Sequence, residues 1–298
     1  MRNNMDQALG LRNKESASMD PLASRPLAYP GTVPVRVIAV SSGKGGVGKS
    51  SVVVNLAVAL DRVGKRVLIM DADLGLANID VLLGLTPKYN IGHVLDGSRD
   101  IGQVLVNGPG RIKVLSATSG VQELTRLSDE QKLLLLDVMD DLQSEVDVVL
   151  IDNGAGISDS VLYFSLAAQE KIVVVTPEPT SLTDAYAFIK VLHLRHGERH
   201  FKILINSVKD ERAGRAVFAK ISRVAEHFLD GLALSYLGAI PFDYSLHKAV
   251  MQQRSLLEAF PSAAASKAFT VLAEVLEKEQ PQTNFGNINF FWKRLLQI

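Results

Sequence analysis

From Val35 onward, short β-rich apolar runs alternate with longer stretches whose apolar residues recur at helical spacing. The strand-like runs are Val35–Val40, Arg66–Met70, Ile112–Leu115, Asp147–Ile151, Lys171–Val175, Phe201–Ile205 and Leu234–Ala239. Between them the spacing predicts helices near 50–63, 128–143, 158–168, 182–195 and 212–229, and two closing helices over 246–258 and 263–278. Strands that alternate with helices predict an α/β fold, a mainly parallel sheet covered by helices on both faces. Several runs are apolar throughout, as expected for strands buried on both sides.

The two ends follow a different pattern. Residues 1–33 are polar and punctuated by Pro21, Pro26, Pro30 and Gly31, and Pro34 closes them. This reads as a flexible arm. Beyond residue 278 a short polar linker leads to an apolar tail. The expected organisation is an arm over 1–33, an ATPase domain over 34–278, and a linker with a C-terminal helix over 279–298. The sequence shows no internal repeat.

Composition narrows the function classes. Lysine plus arginine number 32, as do aspartate plus glutamate, so any attraction to nucleic acid or membrane must be local. There is no cysteine, which removes disulfides, cysteine-ligated zinc and thiolate-held clusters. No basic-then-apolar leader pattern opens the chain, and no apolar run reaches the roughly 18 residues needed to cross a bilayer. A soluble, cytoplasmic protein is expected.

The first strand runs into Gly43-Lys44-Gly45-Gly46-Val47-Gly48-Lys49-Ser50 and then a helix. This is G-x-x-x-x-G-K-[ST] in its required strand–loop–helix setting, a phosphate-binding loop. Glycines let backbone N–H groups close around phosphate oxygens, and the helix start adds its positive dipole. Lys49 is placed to reach the β- and γ-phosphates and the Ser50 hydroxyl to ligate Mg²⁺. Ser51, next along the helix, belongs to the same stretch. Asp71 and Asp73 follow the second strand on the edge where such sheets bind ligands. Asp152 closes the run Val148-Val149-Leu150-Ile151, as a carboxylate holding a metal-bound water would. The plainer reading of all three is an acidic cap at a strand–loop junction.

Lys44 is not required by the loop pattern and sets a second like charge near one site. Either it is a solvated lysine or a strongly anionic ligand absorbs its charge. The KGGVGKS form resembles the deviant loop of the MinD/ParA ATPases. The resemblance implies an ATP-dependent face-to-face homodimer in which Lys44 reaches the partner's phosphates. It also implies that Asp73 positions the attacking water and that Asp71 acts beside Mg²⁺. Asn206, closing Ile203-Leu204-Ile205, matches an asparagine that reads the adenine edge, and an amide suits that task. Pro241, Phe242 and Asp243 match a second base-contacting turn, although a plain loop fits Asp243 as well. Asp152-Asn153-Gly154-Ala155-Gly156-Ile157 resembles the second switch, with Asn153 replacing the small residue expected there. Asparagine tolerates left-handed backbone angles, which would accommodate it.

In the tail, Ile288, Phe291, Trp292, Leu295 and Leu296 form one apolar stripe beside Lys293 and Arg294. Fourteen residues reach about 21 Å, short of the roughly 30 Å of hydrocarbon in a bilayer. Such a helix lies on an anionic membrane surface or docks on its own domain. In the arm, Asp6, Gln7, Ala8, Leu11 and Arg12 form a D-Q-A-x-x-L-R segment. With the loop, the tail and the stretch 176–185, this segment resembles the FlhG (FleN) group of flagellar-number regulators. That resemblance implies action on a flagellar transcription activator, on the signal-recognition-type GTPase FlhF, or on both. It further implies a cytoplasmic protein that associates reversibly with the inner membrane, the cell pole included.

Rivals are a ParA-type segregation ATPase, which needs a basic DNA-binding dimer surface, and a MinD-type division-site regulator. No direct sequence-specific contact with nucleic acid is expected. A tyrosine kinase of the superfamily needs terminal tyrosines, and none follows Tyr244. His193, His196 and His200 have helix-like spacing, but Gly197 interrupts it, which favours a surface cluster over a metal site.

Overall fold

The computed structural model describes residues 35–73, 78–116, 128–279 and 293–294. Eight strands form one sheet: β1 Arg36–Ser42, β2 Val67–Ala72, β3 Val106–Asn107, β4 Lys113–Ser116, β5 Val148–Ala155, β6 Glu170–Val175, β7 His200–Val208 and β8 Ala233–Pro241. Their order is β3-β4-β2-β5-β1-β6-β7-β8, and all pairs are parallel except β3–β4.

Strand alternation sorts the core into two layers. Ile38, Val40, Ile69, Leu150 and Val174 face one side, against α1 (Lys49–Arg62) and α11 (Ala264–Lys278). Val37, Ala39, Met70, Val149 and Ile151 face the other side, against α6 (Asp159–Ala167) and its neighbours. Val173, Val175 and Ile203 continue that layer beneath α7 (Pro179–His196) and α8 (Glu211–Phe228). The strands are therefore apolar on both faces because both are covered.

Every strand run expected from the sequence is present, and α5 (Asp129–Gln143) starts on a Ser128 capping box as its sequence signals. The region between β2 and β4 holds more than expected: α2 (Ile79–Leu83), α3 (Ile91–Leu95), α4 (Ile101–Val104) and β3. Each of these elements is too short for a periodic signal. The single helix expected over 246–258 is instead two, α9 (Tyr244–Met251) and α10 (Leu256–Ala259). The break has a physical cause. Gln253 takes a left-handed φ of 52°, and the Ser255 side chain accepts from the Glu258 N–H to start α10. The amide of Leu256 also donates to Asn55 Oδ1 on α1 at 2.7 Å, which draws α10 onto the core.

β1 lies between β5 and β6, where the chain's connections diverge to opposite halves of the sheet. Crevices at such a point, outside the carboxyl ends of the strands, are where open α/β sheets take ligands.

Candidate functional site

The loop from β1 to α1 is shaped by two left-handed glycines, Gly46 (φ 80°) and Gly48 (φ 84°). Gly48 is the N-cap of α1, so the first N–H groups of that helix open into the loop. Gly43 is required for a different reason. A Cβ there would lie 2.1 Å from the backbone carbon of Asp184, so the loop's entry rests against the backbone of α7. Gly45 has open space around it. Val47 is buried in the core layer beneath.

Lys49 and Asp152 form the centre of the site. Lys49 Nζ donates to Asp152 Oδ1 at 2.5 Å, and the two residues are 7% and 0% exposed. Burial pushes the Asp152 carboxyl above its ordinary range, while the Lys49 charge and the Ser50 hydroxyl draw it back. Asp152 Oδ2 is enclosed without a hydrogen-bond partner. A buried carboxylate oxygen left bare beside a hydroxyl is the donor set that a metal-bound water or Mg²⁺ fits. Ser50 and Asp152 therefore fit Mg²⁺ as a donor set.

Asp71, wholly buried on β2, has both oxygens turned to backbone. Oδ1 accepts from the Asp73 N–H at 3.1 Å, and Oδ2 accepts from the Ile79 N–H at 3.3 Å. It thus grips both ends of the segment between β2 and α2. Burial first, and then the neighbouring Asp152, raise its carboxyl to about 7. Asp73 sits at the mouth of the site, with its Oδ1 3.6 Å from the place a Cβ on Gly154 would occupy.

Lys44 is placed apart from Lys49. Its ammonium donates to Glu178 Oε2 at 2.8 Å and to Thr180 Oγ1 at 2.9 Å, at the start of α7 and half-exposed. Asn206 lies under the loop, its Nδ2 donating to the Val47 carbonyl at 2.7 Å. The next residue, Ser207, is left-handed (φ 57°) at a register shift in β7, which is how the strand end turns beneath the loop. Pro241, Phe242 and Asp243 follow β8 nearby, and the Phe242 N–H donates to the Val208 carbonyl at 2.7 Å. Phe242 is 73% exposed. Asp243 is a helix cap, accepting from the N–H groups of Ser245 and Ala265. Burial raises its carboxyl, but these amides more than offset the effect and leave it low.

Asn153 differs from expectation in how it is accommodated. It is extended within β5, not left-handed, and its side chain is fully buried. The ring nitrogens of His193 face the carbonyls of Glu198 and Asp230, closing the end of α7. The arm residues Asp6, Gln7, Ala8, Leu11 and Arg12 and the tail residues Ile288, Phe291, Trp292, Leu295 and Leu296 lie outside the described residues. Arg294 is described, 3.5 Å from Glu198 just before β7, at the sheet edge opposite the loop. Among the described residues no helix is long and apolar enough to cross a membrane.

Sequence reasoning missed the buried cluster at that opposite edge. Glu170 pairs with Arg36 and, at 3.1 Å, with Lys202. Burial pushes its carboxyl up, but the two cations outweigh this and hold it below its ordinary range. Charged residues opening apolar strands were the only available signal.

A family model labelled ParA and described as NUBPL iron-transfer P-loop NTPase matches residues 34–277. The chain is 48% identical over 265 residues to the antiactivator FleN of Pseudomonas aeruginosa, covering 89% of this chain and 94% of that one. It is 32% identical to the flagellum site-determining protein YlxH of Helicobacter pylori, over 88% of this chain and 90% of that one. Among solved structures, MinD of Pyrococcus horikoshii complexed with Mg-ADP superposes with a TM-score of 0.63 at 27% identity, covering 82% of this chain and 96% of that one. The phosphate loop and the buried carboxylate sit within the matched region. The chain belongs to the MinD/ParA family of P-loop NTPases and is an ATPase.

Proposed function

We propose that this ATPase is a dimerisation switch that regulates flagellar number and placement. It acts on a flagellar transcription activator, on a signal-recognition-type GTPase of the FlhF kind, or on both. The name of the Helicobacter pylori relative, a flagellum site-determining protein, supports the flagellar reading, and that of the Pseudomonas aeruginosa relative, an antiactivator, supports action on an activator. The observation that carries the switch is the separation of the two loop lysines. Lys49 is buried on Asp152, while Lys44 stands at the surface on Glu178 and Thr180, a separation that supports a role for Lys44 towards a second protomer's nucleotide.

ATP is the nucleotide, cradled by residues 43–51, with Asn206 and the turn 241–243 at its base. Lys49 turns from Asp152 to the phosphates when they arrive, which leaves that carboxylate to Mg²⁺ with Ser50. The metal neutralises phosphate charge. Asp73 orients the attacking water, and Asp71 holds the backbone on which Asp73 is carried. Hydrolysis dissolves the dimer. The arm segment Asp6–Arg12 engages the GTPase, and the tail stripe meets anionic lipid, more firmly when two tails are paired.

Light scattering tests the switch. Asp73→Ala with saturating ATP and Mg²⁺ should run as a dimer, and Lys44→Ala in that background as a monomer. A monomeric Asp73→Ala protein with nucleotide bound would overturn the reading.

A further inference from the structure

The most unusual side chain near the site is Asn153, an amide sealed beneath the sheet directly after Asp152. Its Nδ2 donates to Ser41 Oγ at 2.9 Å and to Ser165 Oγ at 3.0 Å. Ser165 in turn donates to the Val161 carbonyl at 2.7 Å. All three side chains are fully buried. They come from three elements: Ser41 from the end of β1, two residues before the phosphate loop, Asn153 from the end of β5, and Ser165 from α6.

The register explains why the amide is there. Val40 pairs with Asp152, and Ser42 pairs with Ala155, so one residue of β1 stands opposite two of β5. Asn153 and Gly154 form a bulge across from Ser41. A bulge bends its strand, re-aims the residues beyond it and leaves one residue without a ladder partner. Here the Asn153 side chain crosses the gap and ties the bulge to β1. Past the bulge the Gly156 N–H donates to the Ser42 carbonyl at 2.9 Å, so the last two residues of β1 are each linked to the end of β5.

Asp152 and Asn153 point to opposite faces, as successive strand residues do. The upper one carries the bare Oδ2 beside Ser50, and the lower one anchors the backbone that carries it. Asn153 Oδ1 accepts no hydrogen bond, a desolvation cost that a smaller residue would avoid. An amide offers this site two donors that a small apolar side chain lacks. The two Nδ2 donors of Asn153 also fasten α6 to β1.

We infer that Asn153 is a positioning residue for ATP hydrolysis. Through Ser41 and Ser165 it fixes the β5 bulge, and so the distance between the Asp152 carboxylate and the phosphate loop. The inference rests on the reading of Asp152 as the carboxylate that serves Mg²⁺. Outer partners that orient a metal's carboxylates are typically worth about 10–100-fold in metal affinity.

The test uses the full chain and three readouts: the Mg²⁺ concentration for half-maximal binding of a fluorescent ATP analogue, kcat and KM for ATP, and the melting temperature. Asn153→Ala should raise the Mg²⁺ requirement about 10-fold and lower kcat more than it raises KM. Asn153→Thr, which keeps a donor and much of the volume, should recover part of both. Ser41→Ala should shift the Mg²⁺ requirement in the same direction, and adding it to Asn153→Ala should have less than its separate effect, because the two share a bond while Ser41 also meets Ser165 Oγ at 3.2 Å. A lowered melting temperature with unchanged Mg²⁺ requirement and kcat would reduce Asn153 to a packing residue and overturn the inference. So would a silent Ser41→Ala. Asp152→Asn separates the two readings: if it leaves the Mg²⁺ requirement as in the wild type, the metal assignment itself has failed.

Discussion

Lys49 Nζ lies 2.5 Å from Asp152 Oδ1, so the lysine that the loop motif assigns to phosphate is held by the carboxylate assigned to the metal. Each group neutralises the other in a site that neither could occupy alone as an ion. On the proposed function, nucleotide binding is an exchange of partners, and the pair sets what single substitutions do.

Lys49→Met should be destabilising in the absence of nucleotide, by about 3–5 kcal/mol, because it leaves a buried carboxylate unpaired. The double change Lys49→Met with Asp152→Asn should melt above Lys49→Met alone. Urea unfolding of the three proteins checks this, and equal midpoints for the single and double variants would refute it.

Gly43→Ala should disturb folding far more than Gly45→Ala. A Cβ at Gly43 meets Asp184 backbone at 2.1 Å, whereas at Gly45 it meets nothing within 4 Å. Overpacking of this kind costs about 1–3 kcal/mol, and more when backbone must move. Thermal melting of the two nucleotide-free proteins should separate them clearly.

Asn206→Asp replaces the donor under the loop with an acceptor facing the Val47 carbonyl. Losing that bond and burying a repulsion should weaken ATP affinity by about 1–3 kcal/mol, roughly 5- to 150-fold. Titration with a fluorescent nucleotide measures it. Unchanged affinity would show that the loop does not depend on this bond.

Lys44→Ala should leave the fold intact, with a stability change under about 1 kcal/mol, because the Lys44–Glu178 pair is solvent-exposed. Its effect should appear only in ATP-dependent association. A large drop in melting temperature would contradict the surface role.

Glu170 gives a pH signature. Its carboxyl is held below the ordinary value by Arg36 and Lys202 despite burial. A depressed folded pKa contributes stability that is present above the unfolded value, about 4.5, and is lost as pH falls through the folded one. Glu170→Gln should therefore lower the urea midpoint at pH 7 and converge on the wild type as pH falls from the unfolded value of about 4.5 through the lower folded one. A midpoint difference that persists undiminished in acid would argue against the pairing.

The elements and the phosphate loop are legible in the chain before any folding is considered. Gly43–Ser50 is contiguous, its glycines set their own backbone angles, and the strands declare themselves by apolar runs that need no partner to be recognised. The strand-end positions of Asp71, Asp152 and Asn206 came from the same runs. Other features depend on residues far apart in the chain. Asn153 could not be placed until Ser41, 112 residues away, was brought under it by the β1–β5 bulge. Asp243 reads as a loop residue until Ala265 arrives to complete its cap, and the helix over 246–258 breaks because Asn55 draws in Leu256. Arg36 and Glu170 open β1 and β6, Lys202 is the third residue of β7, and parallel register makes the three neighbours. Local backbone preference is written in neighbouring residues, whereas burial and the pairing of polar groups are properties of the packed sheet.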